Sequence, residues 1–118
     1  MKKTVVVIFN DNDAALYAGS NVALRMAEVN KERKVELEVF LFGPGQNAYS
    51  GGDQEGPKAN FKETIGKLIQ AGIPVSACTN AAEANGTAEA LRKDGLKLEF
   101  ARDAFLRYAE EHAAVITF

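Results

Sequence analysis

The sequence predicts a three-layer α/β/α sandwich around a mostly parallel five-stranded sheet. Short apolar runs alternate with longer amphipathic segments in the order βαβαβαβαβ, which is typical of parallel strands joined by helical crossovers. The first run, residues 4–10, is apolar on both faces, as a central parallel strand must be. The 118 residues are 47% hydrophobic and 25% charged, so we expect one ordinary globular domain spanning residues 1–118.

The first strand ends in the polar residues 10–13, Asn-Asp-Asn-Asp. Asn and Asp side chains bond to nearby backbone groups, so Asn12 or Asp13 is a good N-cap for a helix. We expect that helix over residues 14–32, because its apolar positions fall on one stripe at helical spacing. Many of these positions are small, which lets a helix lie close to a sheet.

Residues 35–42 form the second predicted strand, in which apolar residues alternate with Glu36 and Glu38. The exposed glutamates favour a place at the edge of the sheet, or a face open to a partner. Gly-Pro-Gly at residues 43–45 stops the strand, and the segment to residue 57 holds five glycines and two prolines without apolar periodicity. We expect a long loop there, serving as a functional loop, as an oligomer contact or only as a mobile connection.

The second half of the chain continues the alternation of strands and helices. Gly72 is a typical stop for the helix before it, and Thr87 is a candidate cap for a short helix ending near residue 93. The other predicted elements are a helix over 58–71, a strand over 73–77, a helical turn over 80–84, a strand over 96–100, a helix over 102–111 and a strand over 113–118.

Composition and charge narrow the classes of partner. The net charge is −2 and no basic block is present, so we expect no nucleic-acid partner. The apolar runs are strand-sized, far short of the ~20 residues that cross a bilayer, and no small-residue cleavage site follows the basic start. A single cysteine fits a reducing compartment, so we expect a cytoplasmic protein without membrane association.

Several familiar site motifs are absent from the sequence. It has no Walker-type phosphate loop, no Gly-x-Gly-x-x-Gly turn after the first strand, no His-Glu-x-x-His and no nucleophile elbow, so we expect no nucleotide or other cofactor. One histidine and one cysteine do not make a metal cluster, and we expect no metal. His112 follows a charged helix end, where a cation suits the helix dipole, and a structural role is favoured over catalysis.

Cys78, the only cysteine, directly follows the strand at residues 73–77. In open α/β sheets, ligands bind at the carboxyl ends of the strands. The predicted strand order along the chain gathers residues 10–13, 43–45 and 78–80 at that edge. The thiol therefore lies where such folds place their chemistry.

The residues alone leave two interpretations of Cys78 open. Backbone N–H groups at a helix start stabilise a thiolate, and Thr79 and Asn80 can add side-chain hydrogen bonds. An unpaired cysteine is also among the most buried residue types and packs as a small hydrophobe. A response-regulator-like domain is less favoured: Asp11 and Asp13 suit it, but Cys78 stands where its phospho-acceptor aspartate should be.

The order of these segments resembles the DsrE/DsrF-like proteins, a family of small sulfur-relay proteins with a flavodoxin- and Rossmann-like (DsrEFH-like) fold. The resemblance covers nearly the whole chain, and its most specific part is a Gly-x-x-Val-x-x-Cys segment followed by a helix and a glycine. The matching segments are residues 5–10, 14–30, 39–43, 72–78, 85–86 and 115–118.

The resemblance implies a homo-oligomer, commonly a trimer or hexamer, in which Cys78 accepts sulfane sulfur as a persulfide. It further implies a sulfur donor or acceptor protein, whose thiol takes the sulfur from Cys78. Many relatives carry a second cysteine three positions further on, where this chain has Ala81. Resolution through a disulfide within one subunit is therefore excluded.

A second function stays open beside the relay. In it the protein is a non-enzymatic, oligomeric binding module, whose carboxyl edge holds a small ligand or a partner while Cys78 only packs. The candidate rim residues, shared by both interpretations, are Asn10, Asn12, Gly43, Thr79 and Asn80.

Overall fold

A computed structural model of the protein describes residues 2–51 and 55–118, which form five strands and six helices. In chain order they are β1 (Lys3–Ile8), α1 (Asp13–Val29), β2 (Glu36–Leu41), α2 (Gly43–Ser50), α3 (Pro57–Gln70), β3 (Val75–Cys78), α4 (Thr79–Ala84), α5 (Ala88–Lys93), β4 (Lys97–Glu99), α6 (Ala101–Glu110) and β5 (Ala114–Thr117).

The five strands form one parallel sheet in the order β4-β3-β2-β1-β5. Parallel neighbours need a crossover connection, and the helices supply one between successive strands. β1 and β2 pair along their full length, from Lys3 opposite Glu36 to Ile8 opposite Leu41. The predicted mixed α/β fold around a parallel five-stranded sheet is confirmed.

The two faces of the sheet are covered unequally. Side chains alternate across a strand, so Val6 and Ile8 lie on the opposite face from Val5 and Val7. The first pair belongs to a large core that includes residues of α1 to α5, and we call this the five-helix face. The second pair packs with Phe40 against α6, and we call this the α6 face. The predicted three layers are present, but the layer formed by α6 is a single helix.

The prediction that its glutamates place the second strand at an edge is wrong, because β2 is the central strand. The Glu38 side chain is only 12% exposed and pairs with Lys3 at 3.0 Å and with Arg107 at 3.2 Å. A charge can occupy a central strand when it is paired and hydrogen-bonded. Alternation in a sequence reports which side chains share a face, and says nothing about which strands lie on either side.

The prediction of a structureless segment after β2 is wrong for residues 43–50, which form α2. Pro44 occupies the first turn, where its missing N–H costs no helical hydrogen bond. Gly45 lies against β1 so closely that a Cβ would come 2.4 Å from the carbonyl oxygen of Ile8. The glycines that suggest a loop thus permit a close approach of backbones. Residues 52–54 of the same predicted loop lie outside the described residues.

Two helix ends differ from prediction in detail. α1 ends at Val29, before the predicted residue 32, and the Asn30 side chain bonds with both backbone groups of Val35. Thr87 does precede α5, but its hydroxyl donates to the carbonyl of Ala82 at 3.3 Å instead of capping the helix. In both places the side chain bonds to a residue five positions away in the chain.

Candidate functional site

Cys78 is the last residue of β3 and the N-cap residue of α4. Its side chain lies on the α6 face, in the cluster that contains Val7 and Phe40, and the residue is 5% exposed. The small and β-branched residues at 75–77 form the strand, and α4 begins directly after Cys78, at Thr79. The structure therefore places the thiol at the strand-to-helix junction that the sequence predicts, and it buries the residue there.

Gln46 of α2 holds the backbone of Cys78. Its side-chain oxygen accepts from the Cys78 N–H at 2.9 Å, and its side-chain amide donates to the Cys78 carbonyl at 3.0 Å. Gln46 is fully buried, so both bonds form away from water. Sequence reasoning misses this residue, because it lies 32 positions before Cys78 in a segment predicted to be a loop. The one signal for this residue in the sequence is a glutamine among glycines, because its side chain has two donors and one acceptor.

α2 is itself anchored at three points. The N–H of Gly45 donates to the Phe9 carbonyl at 2.7 Å, so the helix starts against the end of β1. Asn47 accepts from the Asn85 side chain at 2.9 Å, just beyond α4. The Tyr49 hydroxyl donates to Asp94 at 2.9 Å, and burial, helped by Asp94, raises the pKa of Tyr49.

Three of the predicted rim residues lie near Cys78. Thr79 follows it in the chain and is largely buried, while Asn80 is exposed in the first turn of α4. Gly43 lies at the end of the neighbouring strand β2, with a positive φ of 59°. A Cβ there would come 2.6 Å from the Phe9 ring, so glycine is needed at this point. The side chain that bonds to the Cys78 backbone, however, is that of Gln46.

Asn10 and Asn12 lie farther away, at the end of β1. β1 and β3 are separated by β2, so their ends are about 10 Å apart at the usual spacing of strands. The Asn12 side chain accepts from the Ala15 N–H at 2.8 Å and caps α1, as the sequence predicts. The Asn10 N–H donates to the Phe118 carbonyl at 3.2 Å. The structure does not bring these two residues together with the thiol.

A chain of phenylalanine rings crosses the α6 face beside Cys78. The Phe42 ring lies 5.6 Å from that of Phe9 and 5.7 Å from that of Phe105, and Phe105 lies 5.6 Å from Phe40. Phe40 is fully buried, whereas Phe9 and Phe105 are exposed. The aromatic chain thus leads from the cluster around the thiol to the protein surface.

A network of ion pairs joins α6 to strands β1, β2 and β4 on the same face. Arg107 of α6 bonds to Glu38 and, at 2.7 Å, to Glu99, while Lys3 bonds to Glu38 and, at 2.8 Å, to Glu111. Burial by itself would raise the pKa of Glu38, but hydrogen bonds from Arg107 and Lys3 outweigh it and lower that pKa. The carboxylate is therefore ionised at neutral pH.

Tyr108 lies between this network and the apolar cluster. The Lys3 ammonium is 5.9 Å, and the Arg107 guanidinium 5.0 Å, from the centre of its ring. Within residues 2–51 and 55–118, its hydroxyl is a buried polar group without a hydrogen-bond partner. Burial, and then the nearby carboxylates of Glu38 and Glu99, raise the pKa of this hydroxyl.

Three surface cavities are lined by residues other than Cys78. One of about 310 Å³ is lined by Ser76, Glu99 and Arg107 on the α6 face. A second, of about 190 Å³, lies between the end of α1 and the start of β2, and a third, of about 500 Å³, lies along the outer side of α1. Cys78 lines none of these three. With the residue 5% exposed, movement of the residues that cover it widens the access to its sulfur.

Two further findings concern metals and membranes. Over residues 2–51 and 55–118, no three His, Cys, Asp or Glu side chains lie close enough together to hold a metal ion. His112, exposed with a φ of 55°, follows the end of α6 and donates its N–H to the Ala109 carbonyl. No helix in the described part of the chain has the length and apolar character needed to span a membrane.

The fold is similar to that of several solved structures. A conserved protein of unknown function from Bacteroides thetaiotaomicron has a TM-score of 0.83 at 15% identity, covering 99% of this chain and 95% of its own. The YchN protein from E. coli has a TM-score of 0.73 at 21% identity, with both chains covered completely. A protein of unknown function from Methanobacterium thermoautotrophicum gives 0.72 at 22%, again over the full length of both chains. At these identities the likeness shows the fold alone.

Sequence comparison is more specific about the family. No curated protein sequence matches the chain. The model of the DsrE/DsrF-like family matches residues 3–118, which include every strand and helix described above. The residues that carry the earlier resemblance, from the first strand to the strand-Cys-helix segment, all lie within this match. The chain therefore belongs to the DsrE/DsrF-like family.

Proposed function

We propose that this protein is a sulfur relay, in which Cys78 accepts sulfane sulfur as a persulfide and passes it to a partner thiol. The observation that carries the proposal is the position of the one cysteine at the β3–α4 junction, with its backbone held on both sides by Gln46. Membership of the DsrE/DsrF-like family is consistent with a sulfur-relay role.

The chemistry needs one sulfur atom on the protein. In the accepting step, the Cys78 thiolate attacks the terminal sulfur of a donor persulfide. An S–S bond forms on Cys78 while the S–S bond of the donor breaks, and the donor leaves as a thiolate with the bonding electron pair. In the delivering step, an acceptor thiolate attacks the terminal sulfur and Cys78 leaves as the thiolate. The two steps need no oxidant, reductant or cofactor.

A partner protein widens the access to the thiol. Cys78 is 5% exposed, and the small side chains of Ala81 and Ala101 pack on its cluster. The exposed rings of Phe9 and Phe105 offer such a partner an apolar contact beside this cover. Binding there displaces the cover and brings the donor sulfur to Cys78.

The rim residues divide into two groups in this proposal. Gly43, Thr79 and Asn80 lie at the ends of β2 and β3, next to Cys78 in the chain or on the neighbouring strand. Asn10 and Asn12 lie at the end of β1, where they contact the partner and not the sulfur.

We place the relay in the cytoplasm, where the single thiol stays reduced. It works as a homo-oligomer, a trimer or a hexamer, and exchanges sulfur with a donor or acceptor protein.

Mass spectrometry of the intact protein tests the relay. Wild type incubated with glutathione persulfide is expected to gain the mass of one sulfur atom, and a reducing thiol should remove it. The Cys78→Ser variant is expected to gain nothing, and because the chain has one cysteine, every adduct reports on that site. A folded wild type that gains no sulfur contradicts the relay.

The burial of Cys78 favours one other function, a binding module in which the thiol only packs. Alkylation distinguishes the two. The relay predicts that iodoacetamide modifies Cys78 in the native protein, because the cover moves aside to admit a small reagent. The binding module predicts modification only after unfolding in urea.

A further inference from the structure

The cavity of about 310 Å³ on the α6 face adjoins Cys78 on the sheet. Ser76 lines this cavity and precedes Cys78 by two residues on β3, so both side chains lie on the α6 face, about 7 Å apart along the strand. On the neighbouring strand β4, Lys97 is the register partner of Ser76, and Glu99 is the register partner of Cys78. Lys97 and Glu99 also line the cavity. The cavity therefore begins one pair of residues before the thiol.

The cavity is present because α6 covers only part of the sheet. Ala104 and Tyr108 of α6 pack on the apolar side chains of β1 and β2. Pro74, Ser76 and Lys97 lie beyond this contact, at the starts of β3 and β4, and line the cavity. Pro74 provides apolar surface there. Concave sites of this size, in which a few polar groups converge, are where proteins bind small molecules.

Three polar groups of the lining are free to bind a ligand. Within residues 2–51 and 55–118, the Ser76 hydroxyl forms no hydrogen bond, although the residue is only 3% exposed. Lys97 forms no ion pair with any of the described residues. Glu99 accepts from Arg107 through Oε1 at 2.7 Å, and its Oε2 accepts no bond from the described side chains. A hydroxyl, an ammonium and a carboxylate oxygen thus line one cavity with their bonding capacity unused there.

The free charges have opposite signs and a fixed spacing. Lys97 and Glu99 are two residues apart on one face of β4, so their Cα atoms are about 7 Å apart. An α-amino acid carries a carboxylate for Lys97 and an ammonium for the free oxygen of Glu99, and the Ser76 hydroxyl can bond to either. The lining holds two carboxylates, Glu38 and Glu99, and two cations, Lys97 and Arg107. A ligand with both charges and no net charge suits this balance.

We propose that the cavity binds a small sulfur-bearing α-amino acid, cysteine or its persulfide, as a reactant of Cys78. The opposite charges select the amino-acid part, and the position beside Cys78 selects a side chain that carries sulfur. The Cys78 thiolate attacks the terminal sulfur of the bound cysteine persulfide, an S–S bond forms on Cys78, and cysteine leaves as the thiolate with the bonding electron pair. The sulfur part of this inference rests on the proposed relay, whereas the amino-acid part does not.

The reach of the ligand agrees with this role. From its Cα, the side chain of cysteine persulfide extends about 4 Å through Cβ and two sulfur atoms. Reacting atoms meet at about 3.5 Å. Together these lengths span the distance of about 7 Å between Ser76 and Cys78 along β3.

Calorimetric titration tests the amino-acid part without sulfur transfer. S-methyl-L-cysteine keeps both charges but has no thiol, and it is expected to bind wild type. Its methyl ester lacks the carboxylate and its N-acetyl derivative lacks the ammonium, so each should bind about tenfold more weakly or worse. Lys97→Met should weaken binding of S-methyl-L-cysteine by a similar factor, whereas Lys93→Met, an exposed lysine on α5, should leave it unchanged.

The rate at which Cys78 gains sulfur tests the second part. Mass spectrometry over time should show that cysteine persulfide loads wild type faster than uncharged ethyl persulfide does, with a rate that saturates. In Lys97→Met, the cysteine persulfide concentration that gives half the maximal rate should rise about tenfold. Loading from ethyl persulfide should stay as in wild type.

Each outcome decides one part of the proposal. The amino-acid site is overturned if wild type does not bind S-methyl-L-cysteine, if the two derivatives bind as well, or if folded Lys97→Met binds like wild type. Equal loading from both persulfides overturns the role of the bound amino acid as reactant. No loading from either persulfide contradicts the relay itself, and the titration then still decides the site. Circular dichroism checks that the variants fold.

Discussion

The two faces of the sheet differ in what covers them and in what that cover can do. On the five-helix face, residues of α1 to α5 enclose a continuous apolar core, with Phe61, Ile65 and Leu68 of α3 fully buried. On the α6 face, one helix rests on a small apolar cluster and is joined to the strands by ion pairs. Dense apolar packing resists change, whereas one helix held at its margin by charges can shift at a smaller cost.

Cys78 belongs to the face with the lighter cover. Its neighbour Ala77 points into the five-helix core, while Cys78 points to the α6 face. Its backbone is nevertheless held from α2, whose Ala48 and Tyr49 belong to the five-helix core. The five-helix face thus fixes the backbone of Cys78, and the α6 face controls access to its sulfur.

Truncation of one phenylalanine on each face, buried on one and exposed on the other, should give the largest effect. Phe61→Ala on the five-helix face is expected to lower the free energy of unfolding by about 4 kcal/mol, because it leaves a cavity among closely packed side chains. Phe105→Ala on the α6 face, where the ring is exposed, should cost about 2 kcal/mol or less. Urea unfolding measures both, and equal losses would contradict the difference between the faces.

Removing the central charge of the α6 face should give the next largest effect. Glu38→Gln leaves the Lys3 and Arg107 cations without their shared carboxylate. Because this breaks a largely buried ion pair, we expect the free energy of unfolding to fall by about 3 kcal/mol. Lys3 keeps Glu111 as a partner, which limits the loss. The control Glu63→Gln breaks an exposed ion pair with Lys67 and should cost about 0.5 kcal/mol.

The same variant has a pH signature. The pKa of Glu38 is lower in the folded protein than its ordinary value of 4.5. Its contribution to stability is therefore fully present above pH 4.5 and is lost as the pH falls through the lower folded value. Wild type should lose stability below pH 4.5 more steeply than Glu38→Gln, as urea unfolding at several pH values can measure. Parallel curves would mean that Glu38 does not gain from its cations.

Loss of the contact between α2 and Cys78 should cost less. Gln46→Leu leaves the N–H and C=O of Cys78 buried without partners, and we expect a loss of about 2 kcal/mol. The adjacent variant Asn47→Ala removes one exposed bond to Asn85 and should change stability by about 0.5 kcal/mol or less. In native Gln46→Leu, alkylation of Cys78 by iodoacetamide should also differ in rate from wild type, and an unchanged rate would mean that the contact is only structural.

Much of the fold follows from local patterns in the sequence. The apolar run at residues 5–9 predicts β1, and Asn12 predicts the start of α1 through its side-chain cap. Strand-to-helix alternation predicts a parallel sheet, because parallel neighbours need crossovers. The position of Cys78 at the end of β3 follows from the same pattern.

Other features depend on contacts between distant residues, and local patterns carry no record of them. The glycines of α2 suggest a loop, whereas Gly45 is small because the helix lies against the Ile8 carbonyl. Glu38 suggests an exposed strand, whereas its partner Arg107 is 69 residues away. The bond between Gln46 and Cys78 likewise joins two segments that no periodicity relates.

The smallest expected effect concerns Tyr108, and it tests whether the buried polar groups of the α6 face all have hydrogen-bond partners. In the described part of the chain, its buried hydroxyl has no hydrogen-bond partner of good geometry, although the Glu38 carboxylate is close enough to raise its pKa, so the protein carries a cost for taking that group out of water. Tyr108→Phe removes the cost and keeps the ring against Phe40 and Phe105, so the free energy of unfolding should stay unchanged or rise by up to about 1 kcal/mol. Tyr49→Phe is the matched control on the five-helix face, and it should lower stability by about 1 kcal/mol because the Tyr49 hydroxyl donates to Asp94. If Tyr108→Phe lowers stability as much as Tyr49→Phe, the Tyr108 hydroxyl is hydrogen-bonded in solution. The two faces then do not differ in the hydrogen bonding of their buried hydroxyl groups.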